Sequence, residues 1–272
     1  MNVNKYKITA IALILVVTIC GCEKATETHE NIDSEINIKV MESSLRTLQL
    51  YFSTTKMYPC VNYPIDVSWQ QSSNIIDISF MGVIENDFCF TAIGPATAVI
   101  DLGTLSNGTY HLNFHNGNMK QSGKLIVSSD SYKTNFTGNP NIRFINTSLN
   151  KIPENTIWLV TSYNEDKILS SFLESLMHLG AIKKLYSPGY YSINIIYPYS
   201  YHEVFKIEKD GSITYSPKEV TNTIVNWGGK FMRSFVFQYF GNTANIEQLV
   251  KQYKEQMEIQ VYTDKGEQFT SW

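Results

Sequence analysis

The 272-residue chain carries 22 basic and 25 acidic side chains, a formal net charge of −3, with 43% apolar, 13% aromatic and 17% charged residues. That balance excludes a disordered chain, which has few aromatics and a high net charge. It also excludes a basic nucleic-acid binder, because no excess of Lys and Arg is available to neutralise phosphates. The length suits one large or two ordinary domains, each able to bury a core.

At the N-terminus, Lys5 and Lys7 precede a largely apolar run from Ile8 to Ile19. Twelve residues rise only about 18 Å as a helix, too short for a hydrocarbon core of about 30 Å, so the run reads as a secretory signal. It ends in Ile19-Cys20-Gly21-Cys22. This resembles the lipobox of bacterial lipoproteins, with an aliphatic residue three before the cysteine and a small one just before it. The resemblance implies a thioether-linked lipid and acyl chains, palmitate among them, on Cys22, with the signal peptide 1–21 removed. An ordinary signal peptide cut nearby is the alternative. Loss of 1–21 takes away two lysines and no acid, which moves the net charge from −3 to −5.

Residues 22–45 read as a solvated acidic tether, with Glu23, Glu27, Glu30, Asp33 and Glu35 against Lys24 in its first part. The acidic stretch is similar to that behind the lipidated cysteine of surface-exported lipoproteins in Bacteroidota. Glu23 is not the aspartate that enterobacterial lipoproteins use for inner-membrane retention, so the expected location is the outer membrane, lipid-anchored and either periplasmic or surface-exposed. With Cys20 discarded and Cys22 acylated, Cys60 and Cys89 remain in an oxidising compartment and are expected to form a structural disulfide.

From about Arg46 to Ser148 the chain alternates with period two. Leu48, Leu50 and Phe52 point one way, as do Ile76, Ile78 and Phe80, and then Tyr110, Leu112 and Phe114. Asn116-Gly117 reads as a type I′ hairpin dipeptide before Leu125-Ile126-Val127. Seven or eight short strands at this spacing predict an antiparallel β-sandwich over 46–150. Residues 105–127 look like the last two strands of bacterial Ig-like domains, a resemblance that concerns the fold alone. Asn150 to Pro153 reads as the joint.

Residues 153–272 change character. A strand at Thr156–Thr161 leads to a helix capped by Asn164, with Ile168, Leu169, Phe172, Leu173, Leu176 and Met177 on one stripe and Gly180 at its end. Strands follow at Tyr190–Tyr197, at Glu203–Tyr215 around Asp210-Gly211, and at Phe231–Phe240. Asn245 with Gln248 suggests a capping box for a second helix, and Ile259–Tyr262 closes the series. The order predicts a ferredoxin-like α+β domain with an inserted hairpin. The expected fold class is therefore mixed, an all-β Ig-like sandwich followed by an α+β domain.

Chemistry-bearing motifs are few. His111 and His115 lie in a strand, where four residues span about 13 Å, too far to share an ion, and both are expected in solvent. His202-Glu203 begins like a zincin motif, but Lys206 stands where the second histidine belongs. Gly228-Gly229-Lys230 lacks the earlier glycine of a P-loop, and His178 suits the end of its helix. No metal or cofactor is implied. Tyr186, Tyr190, Tyr191, Tyr197, Tyr199 and Tyr201 are the unusual feature, and the last three alternate. They read either as a surface for stacking on sugars or anchoring a protein, or as cross-strand packing. The expectation is a non-enzymatic envelope lipoprotein, held in the membrane at Cys22, that binds protein or glycan through Tyr197, Tyr199, Tyr201 and Trp227. An enzyme acting on envelope or dietary polymers and a structural subunit of an envelope complex are the alternatives.

Overall fold

The computed structural model describes residues 31–43, 45–86, 88–90, 92–137, 141–195, 201–215 and 231–271. Ten strands come first: β1 (Ile36–Glu42), β2 (Leu48–Tyr58), β3 (Ile65–Ser72), β4 (Ile75–Val83), β5 (Gly94–Asp101), β6 (Gly108–Asn116), β7 (Met119–Val127), β8 (Ser131–Phe136), β9 (Ile142–Phe144) and β10 (Ser148–Asn150). They form a four-stranded sheet, β5-β2-β1-β9, and a six-stranded sheet, β10-β8-β7-β6-β4-β3. One core is shared between the two. Its centre is aromatic: Phe52 of the first sheet meets Phe80 of the second at 5.1 Å between ring centroids, and Phe144 meets Phe136 at 4.5 Å. The alternating residues Leu48, Leu50 and Phe52, Ile76 and Ile78, and Leu112 and Phe114 are all fully buried, as a period-two pattern on a one-faced strand requires.

Several expectations need correction. Residues 36–42, read as the end of the tether, form β1, and Ile36, Ile38, Val40 and Met41 are buried between β2 and β9. The apolar alternation of this stretch outweighs the acids that precede it. The sandwich is not wholly antiparallel: β1 pairs with β9 and β4 with β6 in parallel. Between β4 and β6 the chain leaves for the other sheet as β5, so it returns in the same direction. The β6–β7 hairpin pairs Asn116 with Met119, which makes Gly117 and Asn118 its central residues. Only Gly117 has positive φ (57°), the pattern of a type II′ turn rather than I′.

The rest of the chain contributes β11 (Thr156–Tyr163), α1 (Asp166–His178), β12 (Ile182–Lys183), β13 (Gly189–Ile195), β14 (Tyr201–Ile207), β15 (Ile213–Tyr215), β16 (Phe231–Gln238), α2 (Thr243–Tyr253), β17 (Glu258–Thr263) and β18 (Gln268–Thr270). An antiparallel sheet of order β12-β16-β11-β17-β18 has the two helices on one face, where Leu169, Phe172, Leu176, Ile246, Leu249 and Val250 pack on Ile157, Leu159, Ile259 and Val261. Trp158 and Tyr262 point to the other face and meet Tyr186, Tyr191, Phe205 and Ile207. The small sheet β13-β14-β15 thus covers the face that the helices leave open.

Both caps differ from expectation. Helix α1 is preceded by Glu165, not Asn164, with no side-chain cap, while Gly180 at φ 98° ends the turn as expected. Helix α2 is capped three residues before Asn245, where Asn242 Oδ1 accepts the Ala244 N–H at 3.0 Å. Asn242→Ala is expected to lower stability by about 1 kcal/mol, measured as a shift in urea midpoint at constant m-value, whereas Asn245→Ala leaves the midpoint in place.

The joint is braced. Glu42 of β1 accepts the Ile152 N–H at 3.1 Å and pairs with Arg46 at 3.4 Å, and the Arg46 guanidinium donates to Ile152 O. Ser192 of β13 donates to Glu42 O at 2.9 Å, and Lys151 Nζ donates to Ser128 O and lies 4.7 Å over the Tyr132 ring. Burial holds the Glu42 carboxyl above its usual range, against the pull of Arg46. Burial, with Glu42 close by, pushes the Tyr132 phenol up to about 12.

Candidate functional site

A cleft of about 430 Å³ opens between the β12–β16 edge and the β14–β15 turn. Its lining includes the apolar Leu185, Ile207, Ile213, Phe235 and Phe237, together with Lys183 and Lys184 at the β12 end. Tyr186 is buried at its base, where its hydroxyl meets Thr156 Oγ1 at 3.1 Å. The opposite lip is the Asp210-Gly211 turn foreseen in the sequence. Gly211 has φ 80° and donates to Glu208 O at 2.9 Å, and a Cβ there would come within 3.0 Å of Leu185 Cδ2. Glycine therefore allows both the turn and the close approach to Leu185.

Among the described residues that line the cleft, Asp210 is the one carboxylate. It accepts the Ser212 hydroxyl at 2.6 Å and the Ser212 N–H at 2.9 Å. Those bonds hold its carboxyl below the usual range. A carboxylate stabilised in this way is a poor proton acceptor near neutral pH. Two lysines and several apolar residues thus share the lining, a composition that suits an acidic group carried on an apolar or planar body.

Of the tyrosines singled out in the sequence, Tyr186 and Tyr191 are buried, and Tyr190 packs against the sandwich core. Tyr191 donates to Ser187 O at 2.9 Å and stacks on Phe205 at 5.6 Å. These three are packing residues. Tyr201 begins β14, opposite Ile195 of β13, about 20 Å of strand from Ile207 at the cleft. Tyr197, Tyr199 and Trp227 lie outside the described residues, as does Cys22. Cys60 and Cys89 are joined, as expected. His111 is exposed and His115 half-buried, 3.7 Å from Asp77. Among the described residues no three His, Cys, Asp or Glu side chains gather as a metal site.

Sequence reasoning missed the cleft because its lining comes from separate segments between Lys183 and Phe237. The adjacent lysines at the short β12 edge, followed by Leu185, were the only local signal. The chain matches no family model, no curated protein and no solved structure at a significant level.

Proposed function

We propose that the chain is an outer-membrane lipoprotein, anchored through an acylated Cys22, that binds a protein or glycan partner without catalysis. In this reading the sandwich is an Ig-like stalk and the C-terminal part a ferredoxin-like domain. The sheet order β12-β16-β11-β17, antiparallel with both helices on one face, supports the second assignment. The β13–β15 sheet is then the insertion between its second and third strands. For the anchor, the support is the Ile19 to Cys22 lipobox together with the acidic residues after it. No helix among the described residues is long and apolar enough to cross a membrane.

The observation that carries the binding reading is the cleft: two lysines among apolar lining residues, with the Asp210 carboxylate committed to Ser212. A ligand bearing an acidic group on a sugar ring or a peptide fits that chemistry. The second candidate is the set of aromatic residues Tyr197, Tyr199, Tyr201 and Trp227 picked out in the sequence.

The detergent-solubilised full chain is to be applied to a glycan array and used for pull-down from envelope. Capture of one sugar class or one partner is expected, weakened at least tenfold by Lys183→Glu with Lys184→Glu and by Leu185→Asp. Loss of binding instead on Tyr197→Ala, Tyr199→Ala and Tyr201→Ala moves the site to the tyrosines. Turnover of a bound glycan replaces the binding reading with the enzymatic one.

A further inference from the structure

Three strongly exposed apolar side chains of the sandwich lie in one loop, between β4 and β5. Phe88 is 73% exposed, Phe90 56% and Ile93 74%, and Ile84 ahead of them in the chain and Met57 and Val61 on either side of Cys60 are exposed as well. These residues are presented by a pinned loop rather than a loose one. Cys89, between the two phenylalanines, is bonded to the buried Cys60. Asn62 holds both neighbours, donating to Phe88 O at 2.7 Å and accepting from Phe90 N–H at 3.1 Å. The rings of Phe88 and Phe90 meet edge to face at 5.5 Å. Fixing apolar groups outward in this way removes the entropy cost of ordering them on contact.

The end that carries this loop also receives the chain from the N-terminal segment. Ile32 exchanges two hydrogen bonds with Asn116 at the β6–β7 hairpin, 2.9 and 3.0 Å long. Ser34 reaches Thr55 at 3.1 Å, and β2 then runs on to Tyr58 and the disulfide. The β4 terminus lies here too, because Phe80 is in register with Asn116. Asn31 follows Cys22 by nine positions, a reach of at most about 30 Å. An acylated Cys22 therefore keeps a bilayer within about 30 Å of the end that carries Phe88, Phe90 and Ile93.

We propose that this loop is a second membrane contact, its phenylalanines and Ile93 entering the lipid interface beside the anchor and fixing the orientation of the sandwich. The inference rests on the lipid anchor of the proposed function. Asp33, Glu35, Asp66 and Glu85 share this end with Lys56 and Lys120; the acids outnumber the bases, so apolar insertion rather than a basic patch carries the contact, and salt should not weaken it.

The test uses the full acylated chain in phosphatidylethanolamine vesicles with brominated acyl chains, which quench tryptophan on contact. Phe88→Trp and Phe90→Trp are compared with the unsubstituted chain and with Ile126→Trp. Ile126 is exposed on β7 near Val127, at the opposite end of the β6–β7 pair from Asn116 and Met119. At least twofold quenching of the tryptophan added at 88 or 90, unchanged in 1 M salt, with none at 126, supports the contact. Equal behaviour of the three variants overturns it. So does protection of Phe88 and Phe90 from hydroxyl-radical footprinting in whole envelope without quenching in vesicles, which assigns the loop to a protein. The mass of the mature chain separates the two readings. An acylated chain without quenching sinks the loop contact alone, whereas a chain without acyl groups removes the anchor and the contact with it.

Discussion

Replacing Cys60 and Cys89 with alanine is expected to lower the unfolding free energy by about 3–4 kcal/mol. The bridge joins residues 29 apart in sequence, and a closed loop of that length removes this much chain entropy from the unfolded state. The segment it closes contains all of β3 and β4, so the restriction falls on strands that must pair with β6 in their own sheet and pack on Phe52 of the other. Cys60 is buried and Cys89 exposed, which gives a reductant access from one side. Urea unfolding with and without dithiothreitol should therefore give the wild type two midpoints, the reduced one matching the double alanine variant. Asn62→Ala isolates the local part, since it releases Phe88 O and the Phe90 N–H while the bridge stays closed. Its expected cost is about 1 kcal/mol, that of ordinary hydrogen bonds at an exposed site. A double alanine variant as stable as the wild type would mean that native contacts alone order residues 60–89.

How far the sequence reveals the structure depends on whether the relevant energy is local. Leu48, Leu50 and Phe52, or Tyr110, Leu112 and Phe114, face the core through strand geometry alone, so their strands were readable. The stripe of Leu169, Phe172 and Leu176 was readable for the same reason. Strand β1 was hidden behind Glu30, Asp33 and Glu35, although Ile36, Ile38 and Val40 alternate as clearly as any segment. The parallel pairings were invisible because they follow from β5 crossing to the other sheet, which is a property of the whole assembly. Caps slipped by one to three residues because Asn242 and Asn245 are locally equivalent, and packing of Ile246, Leu249 and Val250 decides between them. The disulfide was readable by counting cysteines. The cleft and the exposed loop were not, since no local pattern tells an outward Phe88 from an inward Phe80.

At neutral pH, Arg46→Met is expected to lower stability by roughly 2–3 kcal/mol. Removing one partner of a buried ion pair costs about 3–5 kcal/mol; the lower figure allows for Arg46, whose side chain is one-third exposed while that of Glu42 is nearly fully buried. The substitution keeps a Cβ at the positive φ of Arg46 (65°), so it reports the guanidinium and not relief of backbone strain. What is left behind is a carboxylate bonded to the Ile152 N–H in a site that already disfavours its charge. The pH dependence follows from the direction of that shift. Burial raises Glu42 above its ordinary 4.5, so its contribution to stability is fully present below pH 4.5 and is lost as pH rises through the folded value. Glu42→Gln, which retains an acceptor for Ile152, should remove this slope, and its advantage over wild type should appear only above pH 4.5. The Arg46→Met cost should follow the opposite course, largest at neutral pH and shrinking as acid neutralises Glu42. Combining the two substitutions should cost less than Arg46→Met alone, because no buried charge then lacks a partner. An Arg46→Met penalty equal at pH 4 and pH 7 would place the role of Arg46 in packing. The charge pairing at the joint between β1 and Ile152 would then contribute nothing to holding the two parts together.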